Sequence, residues 1–292
     1  MLKTVSIYTF KSTLSQVLNV NLAVSQDPVL PVLSDLLSKT PPPKSLLANE
    51  KYRCGWGEPI YPNESNTVRR LSNNILLISL NSLTKKISKK AIKEAAMKRK
   101  AALEADGGKK LTNLEFNDIK TEIEDSVLSK TLSESNQTLM AIIGDKYLLV
   151  EGTGNKAERA ISELRLAIGG SLPITPIAIP LNDIAEHAYF SREAKILYPT
   201  YAYCKLQLDD GSNSIPEQTI RNSESIPEGK RNFLEVSFGY GSLNLKITNR
   251  NNLKAVKLNV SFEKDLDLGE RNLQEATQLL LELENLLPIL SG

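Results

Sequence analysis

Few residues in this 292-residue chain have the types and spacing that chemistry requires. His187 is its single imidazole; it follows Glu186, but no second histidine completes a zinc-binding H-E-x-x-H. The two cysteines, Cys54 and Cys204, lie far apart and show no C-x-x-C spacing, so a reduced compartment is the simplest setting. Nucleophilic catalysis needs a base beside a serine or cysteine, and nothing in the sequence ties His187 to either. Gly152-Thr153-Gly154-Asn155-Lys156-Ala157 fits the dinucleotide pattern G-x-G-x-x-A in letter, following a predicted strand and opening a predicted helix. The next strand candidate, 174–179, has no acid to hold a ribose, and the segment reads as a plain strand-to-helix turn. Glu122, Glu124 and Asp125 could hold magnesium for nuclease chemistry, yet of these Glu122 and Asp125 alone share a helical face. No catalytic residue, metal site or cofactor is expected.

What remains is charge. Residues 85–100 carry eight bases and one acid, Glu94. On a helix predicted over 83–103, Lys86, Lys89, Lys90, Lys93 and Lys100 fall on one side, and Ile87, Ala91, Ile92, Ala95 and Leu103 on the other. Like charges at helical spacing repel one another. A polyanion lying along the stripe relieves that repulsion and releases its own condensed counterions. The formal net charge is only +2, and 41% hydrophobic with 24% charged residues is ordinary for a globular chain. The positive potential is therefore local: ten bases and three acids over 85–110, against nine bases and 13 acids over 209–292. Candidate nucleic-acid contacts are Lys86, Lys89, Lys90, Lys93, Lys98, Arg99, Lys100 and Lys130. The same stripe also fits a protein-interaction module whose basic arm binds an acidic partner.

The elements around this stripe are legible from periodicity. Residues 4–10 alternate as a strand, 14–25 fit a strand or a short helix, and 32–38 fit a helix that Pro41 stops. Arg53-Cys54-Gly55-Trp56-Gly57-Glu58-Pro59 reads as a glycine-bracketed turn around a packed tryptophan. A buried strand is predicted over 74–80. After Gly107-Gly108, Thr112 caps a second helix over 113–132 with Glu115 in the capping-box position. The two helices form an αα-hairpin between strands, an arm projecting from a sheet. Strands at 138–143 and 147–151 then make a hairpin, and 156–168 an amphipathic helix ended by Gly169-Gly170. Beyond a proline-punctuated connector at 173–179 come a helix at 184–192, strands at 198–208, 234–238, 242–248 and 255–262, and a leucine-rich helix at 270–287. That last helix suits either full burial or a subunit contact. No apolar run spans a bilayer, and residues 1–10 do not resemble a signal peptide, so a cytoplasmic protein free of the membrane is expected.

The order of these features resembles the RdgC family of recombination-associated DNA-binding proteins. The resemblance rests on Gly55-Trp56, on Ile87-Ser88-Lys89-Lys90-Ala91-Ile92-Lys93 and on Ser135-Asn136-Gln137-Thr138-Leu139-Met140. It continues with Lys156-Ala157-Glu158 and Gly170-Ser171-Leu172-Pro173-Ile174-Thr175-Pro176, so that 54–177 is the best-matching stretch. No motif is specific alone; their order and spacing together are. The resemblance implies an α+β fold of antiparallel sheets in a horseshoe protomer. Its regions would be a centre (1–80 and 135–175), a helical tip arm (81–134) and a base with the C-terminal helix (176–292). It further implies a non-enzymatic homodimer that closes as a ring around double-stranded DNA in the nucleoid and limits access of the RecA-type recombinase. Dimer contacts would fall on Leu128, Leu132, Leu280, Leu283 and Leu287. Leu132 stands where the family carries an aromatic residue near the tip, as in a diverged or phage-borne member.

Overall fold

The computed structural model describes residues 4–19, 29–59, 66–108, 110–177, 203–208, 218–221, 231–240, 243–248, 252–258 and 268–291. The fold is α+β, and its strands form an open sheet in the order β2 (Tyr52–Gly57), β4 (Ile75–Thr84), β5 (Glu134–Ile143), β6 (Tyr147–Glu151), β1 (Thr4–Phe10), β12 (Asn252–Leu258), β11 (Leu243–Thr248), β10 (Arg231–Tyr240), β8 (Tyr203–Leu208) and β9 (Gln218–Arg221), with β3 (Val68–Ser72) on β4 and β7 (Ile174–Pro176) on β1. The chain divides into two compact units, one of residues 1–39, 58–79 and 138–292, the other of residues 40–57 and 80–137.

In the first unit β1 (Thr4–Phe10) lies antiparallel to β6 (Tyr147–Glu151), with Val5 opposite Glu151 and Thr9 opposite Tyr147. Its other edge is shared, since Thr4–Ser6 pair with β12 (Asn252–Leu258) and Tyr8–Phe10 with β7 (Ile174–Pro176). The predicted hairpin is present: β5 (Glu134–Ile143) pairs antiparallel with β6 around Gly144, whose φ of 55° only glycine adopts readily. β3 (Val68–Ser72) pairs with β4 (Ile75–Thr84), whose first six residues are all buried, as its unbroken apolar run requires. The predicted meander is β10 (Arg231–Tyr240), β11 (Leu243–Thr248) and β12, extended by β8 (Tyr203–Leu208) and β9 (Gln218–Arg221).

Helices cover this sheet where the sequence is apolar at helical spacing. α1 is only a turn, Leu14–Val17, capped by Thr13; α2 (Val29–Ser38) packs on β3 and buries Val29, Leu33 and Leu37. α5 (Asn155–Ala167) packs on β6 through Ala157, Ala160, Ile161 and Leu164, and Gly169 and Gly170 at φ 96° and 97° end it. The terminal helix α6 (Leu268–Ser291) buries Ala276, Leu279, Leu280, Leu283, Leu286 and Leu287 within the chain. The helix expected at 184–192, with His187, lies outside the described residues.

The second unit holds β2 (Tyr52–Gly57), α3 (Lys89–Gly107) and α4 (Asn113–Lys130). Here the structure corrects two readings. Residues 52–57 form a strand rather than a turn, with Trp56 2% exposed. Glycines stand at 55 and 57 because the backbone of Thr40 and Pro41 and the side chain of Asn81 press against them, leaving no room for a Cβ. The basic helix starts at Lys89, not at 83, because β4 runs through Thr84 and Ser88 is the N-cap, accepting from the Ala91 N–H at 3.2 Å. Lys86 and Ile87 thus precede the helix.

Candidate nucleic-acid interface

α3 and α4 pack as the predicted αα-hairpin. Gly108, at φ 63°, closes α3, and the Leu111 N–H donates to Glu104 Oε1 at 2.8 Å across the turn. α4 starts with the capping box read from sequence: Thr112 Oγ1 accepts from the Glu115 N–H at 3.3 Å, while Glu115 Oε2 accepts from the Thr112 N–H at 2.7 Å. The seam between the helices is narrow. Ile92 and Ala96 are buried on α3 and Ile119 and Leu128 on α4, whereas Ala91, Ala95 and Leu103, expected inward, are exposed. Alanine is a strong helix former whether or not it is buried, so its positions did not mark the buried face.

The buried seam turns the cations of α3 outward along its flanks. Lys89, Lys90, Lys93, Lys98 and Arg99 are exposed, and Lys100 is half-buried with its ammonium 5.3 Å from the Phe116 ring centroid. These cations divide by partner. Arg99 Nη2 lies 3.0 Å from Glu122 Oε2 on α4, and Lys86 Nζ 2.5 Å from Glu134 Oε2. Lys90 and Lys100 face Glu94 and Glu104 one turn along their own helix, at 4.0 and 3.7 Å. Lys89, Lys93, Lys98 and Lys130 make no ion pair among the described residues. Lys130 sits in the last turn of α4, where a cation complements the helix dipole.

One base of the run has a different task, which its sequence position did not reveal. Lys85 is 9% exposed, and its ammonium donates to the Leu47 and Ala48 carbonyls, each at 2.9 Å. The loop it grips is closed by Glu50, which accepts from the Leu47 N–H and from Arg53 Nε at 2.8 Å; Arg53 and that backbone bond hold the Glu50 carboxyl below its ordinary range. Lys51 beside it pairs with Glu124 of α4.

The acids considered for magnesium are thus engaged with cations at Glu122 and Glu124, and Asp125 is exposed. Among the described residues no group of three or more His, Cys, Asp or Glu side chains is placed to hold a metal ion. No described helix is long and apolar enough to cross a membrane. Gly152 and Gly154 adopt positive φ in a plain turn, with the Gly152 N–H bonded to the Thr4 carbonyl and the Lys156 side chain laid against it. Of the leucines expected at a dimer contact, Leu132 is 88% exposed just beyond α4, whereas Leu128, Leu280, Leu283 and Leu287 are buried within the chain.

An α+β body with a helical pair whose first helix is cation-rich is the class this fold defines. The family model described as "Putative exonuclease, RdgC" matches residues 32–186. That is more than half of the chain, which therefore belongs to the RdgC family. The "Recombination-associated protein RdgC" of Salmonella newport (strain SL254) is 30% identical over 129 residues, 44% of this chain and 42% of that protein. The protein of the same description from Enterobacter sp. (strain 638) is 28% identical over the same shares. The chain's match thus spans less than half the length of these relatives.

Proposed function

We propose that this chain is a non-enzymatic protein of DNA recombination that binds double-stranded DNA without reading its sequence. The observation that carries this reading is the set of exposed cations on one helix that make no ion pair among the described residues, Lys89, Lys93 and Lys98, with Lys130 in the same unit. Flexible exposed lysines meet phosphates, which fix register but carry no base code. Lys86, Lys90, Arg99 and Lys100 complete the surface. The relatives named for recombination support a role in that process, and family membership supports a homodimeric ring that encircles DNA and limits a RecA-type recombinase in the nucleoid. Within that ring, residues 81–134 would be the tip, 1–80 and 135–175 the centre, and 176–292 the base. Of the proposed dimer contacts Leu132 is the exposed one, able to meet a second subunit directly, while Leu128, Leu280, Leu283 and Leu287 are buried and would act only through the packing of their own helices.

The test is fluorescence anisotropy of random-sequence duplex DNA across a salt series. The expected log–log slope is about −0.9 per neutralised phosphate, several phosphates in total, with no preference among sequences. Absence of binding at low salt would overturn the reading and leave the basic helix to an acidic protein partner. The word exonuclease in the family description favours one rival: magnesium-dependent loss of DNA ends that Glu122→Ala and Asp125→Ala abolish would replace binding by cutting.

A further inference from the structure

The hairpin is electrically two-sided. α3 carries six bases, Lys89, Lys90, Lys93, Lys98, Arg99 and Lys100, against Glu94, Glu104 and Asp106. α4 carries five acids, Glu115, Asp118, Glu122, Glu124 and Asp125, against Lys120 and Lys130. The two helices therefore have opposite net charges of equal size, and the pair as a whole offers a polyanion no net attraction. Attraction depends on which cations are already held. The Lys90–Glu94 and Lys100–Glu104 pairs are local to one helix turn and support α3 itself. The Arg99–Glu122 pair crosses from one helix to the other, and Lys86–Glu134 joins the segment before α3 to the start of β5.

We propose that Glu122, and with it Glu134, occupies the phosphate position of Arg99 and Lys86 in the free protein. DNA binding at those two cations is then an exchange of carboxylate for phosphate. This deepens the nucleic-acid reading above and rests on it. An Arg fork donates to a carboxylate and to a phosphate in the same geometry, so the two anions compete for one donor set. Both side chains of the Arg99–Glu122 pair are more than half exposed, at 52% and 62%, so the pair opens at small cost. Among the described residues Lys89, Lys93 and Lys98 have no such competitor, and they meet DNA first. The two acids thereby set the affinity of the whole surface below what its count of bases implies, and keep a sequence-independent binder releasable.

The experiment is a double-mutant cycle by anisotropy on the full chain with random-sequence duplex DNA. Glu122→Gln should tighten binding by about fivefold, the effect of removing one charge a few ångströms from a phosphate in water. Arg99→Gln should change affinity little in the native background, yet weaken it by about fivefold once Glu122 is Gln, because Arg99 is then free for phosphate. Lys93→Gln should weaken binding equally in both backgrounds. Arg99→Gln costing the same in both backgrounds would overturn the exchange while leaving the binding surface intact. Lys93→Gln combined with Lys98→Gln leaving affinity unchanged would overturn the surface itself, and the exchange with it. Circular dichroism of Glu122→Gln should match the native chain, since the Arg99–Glu122 pair it removes is more than half exposed on both sides.

Discussion

Tyr8 on β1 donates its hydroxyl to Glu158 Oε1 on α5 at 3.0 Å, joining positions 150 apart in the chain. Burial of Tyr8, reinforced by the hydrogen bond to Glu158, pushes its hydroxyl from 10.0 up to about 12. The folded chain then keeps a proton that the unfolded chain releases. Stability from this group is complete below pH 10 and is lost as pH rises towards 12. Tyr8→Phe should cost about 1 kcal/mol near neutrality and should flatten the alkaline part of the stability curve. Urea midpoints across that range decide it: an unchanged alkaline loss in Tyr8→Phe would assign the titration to another group.

Gly55→Ala tests why the Gly-Trp pair stands where it does. An added Cβ would lie 2.0 Å from the Pro41 carbonyl oxygen and 2.8 Å from that of Thr40. Thr40 also accepts from the Trp56 N–H at 2.7 Å, so the backbone cannot retreat without breaking that bond and lifting the tryptophan. A loss of about 1–3 kcal/mol is expected, with a red-shifted Trp56 emission as the only indole of the chain gains water. Native emission and native stability together would show that the 40–43 segment has room to move.

Thr112→Ala removes one half of the capping box, the hydroxyl that accepts from the Glu115 N–H at the start of α4. The expected cost is about 1 kcal/mol, read as a lower thermal midpoint, and Thr112→Asp should restore most of it. A drop that Asp does not rescue would place the role of Thr112 in its methyl group.

The parts of the molecule that the sequence revealed are those whose cause is local. The capping box at Thr112 and Glu115, the buried run of β4, the β5–β6 hairpin and the inward stripe of α5 each follow from a few neighbouring residues. The start of α3 is not legible locally, because lysine and alanine at 85–91 suit a helix, while β4 extends through Thr84 by pairing with strands distant in sequence. Propensity yields to such pairing. The glycines at 55 and 57 misled for a similar reason: they make room for a distant backbone rather than a turn. The α6 stripe fitted two destinations, and its burial within the chain depends on tertiary partners that periodicity does not name. At the candidate interface the bases were all visible, but their division into paired and unpaired was not, since Glu122 and Glu134 reach their cations from other elements.

That division makes Lys85 the sharpest test of how the basic run is used. It lies beside Lys86 in sequence, yet its ammonium is buried against the Leu47 and Ala48 carbonyls and cannot also meet a phosphate. Lys85→Met keeps the length of the side chain but leaves two carbonyls without their donor, at a cost of about 1–3 kcal/mol in stability. Because no phosphate contact is lost, the salt slope of DNA binding should not change. Lys93→Met should do the reverse, leaving the thermal midpoint in place while reducing the slope by about 0.9. If Lys85→Met lowers the slope as Lys93→Met does, the ammonium leaves its carbonyls when DNA arrives, and the loop at 47–51 must open in the complex.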